Sequence, residues 1–349
     1  MRNRQWIVLA MITVLSLALL MPAGCAKTAE VTSPKSFEWK ALSMADSAVD
    51  PYSQLQQSMY DEIREKSNGR LNIRLVWRAQ HSYTPAELLG VVSDRVAEIA
   101  TVCNGHLTGY RDYFGVFPLP GVVVGSYDKV SKCSYEVEAP FIDKQVREHE
   151  GAFLTLPYMS GAHDIYSKQK LTSLAELKGL KVRCQDANEM ALLASLGATP
   201  VSVEFAEVYM ALSRGTIDAA ITGVAYANAF KWFEICKYSL ELGTFANTFL
   251  NFVNLEAFNE LPQDLQDIFI EAESKAALTV REELGPKAVA DAWDGAKKNG
   301  VTITKLSPQE QAAVLKAGDG VVRDWLAKEG RSEEAKELVR LAREWLAEH

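Results

Sequence analysis

The sequence predicts a mixed α/β protein of two lobes, and three observations predict it. At 349 residues the chain is too long for one ordinary hydrophobic core. Short apolar strands alternate with amphipathic helices, the order that builds βαβ units on a largely parallel sheet. That alternation occurs a second time after Leu171, and a long apolar-striped helix follows it.

In the first lobe, Tyr52, Leu55, Met59 and Ile63 recur every three or four residues from Pro51, and Asn68-Gly69 supplies a left-handed stop. Leu71, Ile73, Leu75 and Trp77 then alternate with other residues, the period of a half-buried strand. Thr84-Pro85-Ala86-Glu87 reads as a capping box opening a helix through Leu88, Leu89, Val92 and Val96. Ile99 to Val102 follows as a buried strand.

In the second lobe a helical turn through Leu174 and Leu177 stops at Gly179. Leu180, Val182 and Cys184 share one strand face, which turns Lys181 and Arg183 to the other. Asp186 to Leu196 is helical and ends at Gly197; Val201 to Val203 is extended, Phe205 to Ser213 helical, and Ile217 to Ile221 extended again. Beyond Pro262, residues Leu265, Phe269, Ala272, Ala276 and Val280 form one apolar stripe up to Gly285-Pro286. Another helix comes next, then a strand at Val301 to Leu306, a capping box at Ser307-Pro308-Gln309-Glu310, and helical sequence to the end.

A net charge of −8, with Lys and Arg scattered along the chain, excludes the basic stripe that a nucleic-acid partner requires. The N-terminus argues for export: Arg2 and Arg4 precede an apolar run from Ile7 to Met21, closed by Pro22-Ala23-Gly24-Cys25. That run is short for a membrane span, and no other stretch approaches the roughly 20 apolar residues a span needs. Ala23-Gly24-Cys25 resembles the lipobox of bacterial lipoproteins, with Pro22 where that motif usually has Leu, so Cys25 is the expected lipidated residue. Ordinary cleavage nearby is the alternative. Ala26 to Lys35 then forms a polar tether. Cys103, Cys133, Cys184 and Cys236 have no Cys-x-x-Cys spacing and no histidine at ligand distance, so neither a metal nor another cofactor is expected. An oxidising compartment permits a disulfide among them without naming the pair.

Leu177-Lys178-Gly179-Leu180-Lys181-Val182-Arg183, then Leu196-Gly197-Ala198-Thr199-Pro200-Val201, then Glu207-Val208-Tyr209-Met210-Ala211-Leu212 with Gly215 and Asp218, carry a specific pattern. It resembles the signature of the DctP family of TRAP solute-binding proteins. Ser67-Asn68-Gly69-Arg70-Leu71 and Asn259-Glu260-Leu261-Pro262 extend the likeness more weakly. The resemblance implies a bilobal, periplasmic-binding-protein-like fold with crossing strands and a long bridging helix. It also implies capture of a small organic acid between the lobes, and delivery to separate membrane subunits driven by an ion gradient. On this reading 1–25 is the signal, 26–35 the tether, 36–159 with about 249–285 the first lobe, and 160–248 with about 286–349 the second. The expected protein is a monomer in the periplasm, held to the membrane through Cys25.

In that register Arg183 is the expected ligand anchor, because a guanidinium presents paired donors that match a carboxylate. His163 falls where members often place a second cationic or polar contact; its other reading is a loop histidine capped by Asp164. Thr222 stands where several members have an asparagine that bonds the carboxylate, and Phe205 matches a pocket-wall aromatic or else a core residue at a helix start. Tyr83 and Tyr158, with Tyr226, sit near expected strand-to-helix connections, where open α/β sheets bind ligands. The chain departs from the family at Asp94-Arg95, where glycine is common, and at Thr244-Phe245, where some members have histidine; both bear on the ligand.

Two rival readings are a binding protein of an ATP-driven importer or sensory system, and a secreted α/β enzyme. Against the enzyme, His163-Asp164 is the one acid–base pair worth naming, and no Gly-x-Ser-x-Gly elbow, phosphate loop or His-Glu-x-x-His motif is present.

Overall fold

The structure, a computed structural model, describes residues 35–48, 51–243 and 246–349. The expected signal with Cys25, the tether up to residue 34, and Thr244-Phe245 lie outside the described residues. The strands are β1 (Phe37–Ser43), β2 (Leu71–Val76), β3 (Ile99–Cys103), β4 (Ala152–Ser167), β5 (Lys181–Cys184), β6 (Thr199–Ser202), β7 (Ala219–Gly223), β8 (Tyr238–Glu241), β9 (Ala246–Asn254) and β10 (Thr302–Lys305). The helices are α1 (Pro51–Lys66), α2 (Leu88–Ser93), α3 (Tyr127–Cys133), α4 (Ala139–His149), α5 (Ala187–Ser195), α6 (Val208–Arg214), α7 (Val224–Ala229), α8 (Leu255–Asn259), α9 (Gln263–Thr279), α10 (Gly285–Lys298), α11 (Pro308–Ala327) and α12 (Glu333–Glu348).

The predicted two-lobed α/β fold is what these elements build. In the first lobe β1 runs parallel to β2 and β3. In the second, β5 runs parallel to β6 and β7, and β8 to β10. The antiparallel strands β4 and β9 join the two: β9 pairs with β3 and with the first part of β4, while the last part of β4 pairs with β7 and β8. Strand β4 is therefore shared by both sheets. Its register shifts twice, between Thr155 and Tyr158 and between Met159 and Ala162, so it bends where it passes from one lobe to the other.

Each sheet is covered on both faces, as parallel strands demand. Leu42, Leu88, Phe114 and Phe252 belong to one core of the first lobe, and Trp39, Tyr60, Ile63 and Phe269 to the other. In the second lobe Ile165, Val182 and Leu192 lie on one side, and Tyr166, Leu212 and Trp232 on the other.

Local signals account for most boundaries. Asn68 and Gly69 adopt φ of 52° and 74° and end α1 as predicted, and Ser307 and Glu310 close the capping box of α11. Helix α2 stops at Ser93, short of the expected Val96, because Arg95 takes φ of 56°. Glycine occupies that conformation without penalty, which gives the Asp94-Arg95 departure a backbone reason; the Arg95 side chain pairs with Glu260. Gly285-Pro286 does not end the long helix, as the sequence implied. A π-helical turn at Val280–Leu284 leads straight into α10, and a Cβ on Gly285 would lie 1.8 Å from the Tyr127 hydroxyl.

A further correction concerns the C-terminus. Residues 286–349 were expected in the second lobe, yet Ala335, Leu338, Val339 and Ala342 of α12 pack into the first lobe's core with Val322 and Trp325 of α11. Cys103, Cys133, Cys184 and Cys236 are free and buried, so the open disulfide question closes on free thiols. Among the described residues no helix is long and apolar enough to cross a membrane, and no cluster of three His, Cys, Asp or Glu suits a metal ion.

Candidate functional site

Parallel strands present their carboxyl ends to a common edge, where open α/β sheets hold ligands. In the second lobe this edge carries Arg183 near the end of β5, Thr222 near the end of β7, and Glu204 and Phe205 just past β6. In the first lobe it carries Arg78 just past β2 and His106 just past β3.

Arg183 is 3% exposed. Its Nε donates to the carbonyl of Val203 at 2.9 Å, and its guanidinium carbon lies 5.4 Å from the centre of the Phe205 ring. Nη1 is buried without a hydrogen-bonding partner. Burial, the largest influence, lowers the guanidinium's pKa from the usual arginine range, while Glu189 and Glu204 pull the other way from a distance. No carboxylate forms an ion pair with Arg183 among the described residues, so a buried cation keeps an open donor.

Because Arg183 stands opposite Ala220 in register, Thr222, two residues on, shares its sheet face. The Phe205 ring lies against Arg183, and Thr222 shares the sheet face of Arg183. Two further residues were missed in the sequence. Burial first, then the positive field of Arg78 and Arg183, hold His106 below the usual histidine range against the pull of Glu204. The first lobe's His106 thus senses Arg183 and Glu204 of the second lobe as well as Arg78 of its own. The signal available was positional: a basic residue within a few positions of the end of each of two parallel strands.

His163 is placed differently from either expectation. It is a strand residue of β4 opposite Gly223, on the face away from Thr222, and Asp164 does not cap it. Its Nδ1 lies 2.6 Å from Glu189 Oε1, with both side chains buried. Glu189 Oε2 accepts the backbone N–H of Gln185 at 2.6 Å, and Asn247 Nδ2 reaches both Gln185 Oε1 at 3.4 Å and His163 Nε2 at 3.5 Å. A Cβ on Gly105 would meet Asn247 at 3.3 Å and Gln185 at 3.6 Å, so the first lobe's β3 turn rests on this polar seam. The seam holds the chain just after Arg183 against the crossing strands.

Tyr158 lies inside β4, not at a connection. Its ring stacks on Tyr52 at 4.6 Å and on Phe249 at 4.8 Å; Phe249 stacks on Tyr226 at 5.8 Å, and Tyr226 meets Phe205 edge to face. A column of rings therefore runs from α1 across both crossing strands to the ring beneath Arg183. Tyr83 is half-buried against the first lobe's core, 6.1 Å from His81, and no contact joins it to Arg183 among the described residues.

Residues 42–329 match the family described as bacterial extracellular solute-binding protein, family 7, or DctP. An uncharacterized Salmonella typhimurium protein, YiiZ, is 26% identical over 181 residues, covering 51% of this chain and 54% of its own length. The 2,3-diketo-L-gulonate-binding periplasmic protein YiaO of Escherichia coli is 26% identical over 275 residues, 77% of this chain and 81% of that protein. DctP7 of Bordetella pertussis, an extracytoplasmic solute receptor binding pyroglutamic acid, superposes with a TM-score of 0.77 at 22% identity, covering 88% of this chain and 100% of that one. At that identity the likeness speaks to the fold.

Proposed function

Since the chain belongs to the bacterial extracellular solute-binding proteins of family 7, we propose that it is the extracytoplasmic receptor of a TRAP transporter, taking a small organic acid between its lobes. One observation carries the reading: a buried arginine near the carboxyl end of β5 keeps an unpaired donor. A carboxylate is the partner that a planar guanidinium fits best. Thr222 offers a hydroxyl on the same face, and Arg78 and His106 supply the opposing lobe's half of the site.

In the open state Arg183 meets the acid; closure then brings Arg78 and His106 over it and shifts the population toward a shape that separate membrane subunits recognise. YiaO and DctP7, by their names, bind small acids, which supports an acid here. Binding without catalysis fits the site, since His163 is committed to Glu189. We assign the mature chain to the periplasm as a monomer, with a lipid on Cys25. The lobe division keeps its sequence boundaries up to residue 285, with α12 reassigned to the first lobe.

A thermal-shift screen over monocarboxylates, dicarboxylates, keto acids, sulfonates and aromatic acids tests the proposal. A ligand selective for the folded state raises the apparent stability by about 2.7 kcal/mol at a hundred times its Kd. The expected hits are acids; amides and alcohols of the same shape should give no shift. Shifts from neutral sugars or amino alcohols alone would overturn the assignment.

A further inference from the structure

Three residues past Arg183 the chain carries the opposite defect, an acceptor without a donor. Asp186 caps the N-terminus of α5: its Oδ1 accepts the N–H groups of Asn188 at 2.7 Å and Glu189 at 3.0 Å. Its Oδ2 is buried and has no hydrogen-bonding partner, and among the described residues no Lys, Arg or His forms an ion pair with this carboxylate. Capping does not require that second oxygen, since Ser and Asn cap a helix as well as Asp does. A shielded carboxylate oxygen without a donor is costly, so its position is informative.

The position is the edge that carries the arginine. Three residues of extended chain hold the Cα atoms of Arg183 and Asp186 within about 11 Å of each other. The charge of Asp186 acts on Arg183 and also on Cys103, the last residue of β3 in the first lobe. Gln185, the residue before it, donates from Nε2 to Cys103 Sγ at 3.8 Å. Asp186 thus lies where the second lobe's strand edge meets the first lobe's.

Arg183 Nη1 and Asp186 Oδ2 have complementary needs, yet they do not satisfy each other, and both stay without a partner. A plain carboxylate would satisfy the guanidinium and leave Oδ2 bare, with a second negative charge brought near it. An acid that also bears an O–H or N–H group a few bonds from its carboxylate would satisfy both. We infer that Asp186 is a specificity residue: the ligand is an organic acid carrying a hydrogen-bond donor, which bonds Oδ2 while the carboxylate meets Arg183. This rests on the acid-binding reading above and narrows its ligand class to hydroxy and amino acids, in preference to plain or keto acids.

Calorimetric titration of the full chain with three matched series tests the inference: propionate, lactate and alanine; phenylacetate, mandelate and phenylglycine; succinate, malate and aspartate. Burial first, then the charge of Glu189, pushes Asp186 up to about 7 against the pull of two backbone N–H groups and His163, so pH 8 keeps it mostly ionised and accepting. In every series that binds, a donor-bearing member should bind at least about tenfold tighter than the plain acid, and the hydroxyl and ammonium arms show which donor is preferred. D186S keeps a capping hydroxyl and deletes the recognition oxygen, so it should bring the members of a series to within about threefold. D186N keeps the shape; its oxygen stays on the two N–H groups, and its amide then faces the ammonium acids, which cannot accept from it and should weaken about tenfold or more. R183M should weaken plain and donor-bearing acids alike. If plain acids bind as tightly as their partners in wild type, or if the preference survives both Asp186 variants, the inference fails and the acid-binding reading stands. If no acid in these series or in the wider screen saturates the protein, that reading fails and this inference with it.

Discussion

Replacing Arg183 by methionine separates an anchor from a structural arginine. Methionine keeps most of the stem's volume and can still lie against Phe205, but it removes the charge and the open Nη1 donor. In the unliganded protein that donor stabilises nothing, and among the described residues the guanidinium's one hydrogen bond is to the Val203 carbonyl. Losing that bond costs on the order of 1 kcal/mol, while removing a buried charge without an acid partner returns a similar amount. The Tm of the free protein should therefore move by no more than about 4 °C. Ligand binding behaves otherwise, because a charge-assisted contact contributes about 1.5–3 kcal/mol, or roughly 10- to 150-fold in Kd. For an acid present at a hundred times its Kd, a hundredfold loss shrinks the ligand's stabilisation from about 2.7 to about 0.4 kcal/mol. Differential scanning fluorimetry with and without the best acid reads both quantities at once. A large drop in the free protein's Tm with an undiminished ligand shift would refute the reasoning.

Three more outcomes follow from the buried polar groups and the ring column. Glu273 is buried with Oε2 unpartnered, and burial pushes it up to about 8; Glu138 and Asp186 rise to about 7 and Asp164 to about 8, in each case chiefly through burial. Their folded-state pKa values lie above the unfolded ones, so the folded state holds more protons and stability falls as pH climbs from about 4.5 to about 8. Urea midpoints should be higher at pH 5.5 than at pH 8.5, and E273Q should flatten that slope; an unchanged slope would show that Glu273 titrates normally. E189A strands a buried histidine and the Gln185 N–H, and should cost about 3–5 kcal/mol in urea unfolding, whereas less than about 1 kcal/mol would mean the seam is not structural. Y158A opens a gap between Tyr52 and Phe249 and should cost about 3–5 kcal/mol, with a calorimetric loss below about 1 kcal/mol contradicting the stacked column.

Much of the fold was legible because local rules and tertiary packing agree in it. Alternation through Leu71, Ile73 and Leu75 gave β2, Asn68-Gly69 gave the end of α1, and the capping box gave the start of α11. The crossing strands were not readable from pattern. Buried Asn247, Thr248, Asn251 and Asn254 break up the apolar sequence of β9, and β4 loses its two-residue period at its register shifts. Long-range hydrogen bonds satisfy most of those side chains, such as Asn251 to Thr155 and Thr248 to Glu138, and no window of sequence contains both partners.

The site divides along the same line. Arg183 followed from the strand face and the family register, whereas the partner of His163 lies 26 residues away on a different element. A neighbouring Asp164 looked like its cap in sequence, but successive strand residues point to opposite faces. Helix α12 went to the wrong lobe because its apolar stripe shows that a face is buried without showing against what.

A crystal structure of the protein with its best-binding acid tests the central claim most directly. The account predicts a carboxylate oxygen within hydrogen-bond distance of Arg183 Nη1, with Arg78 and His106 closed over the other end. A carboxylate seated elsewhere, with Nη1 still unpaired, would contradict it.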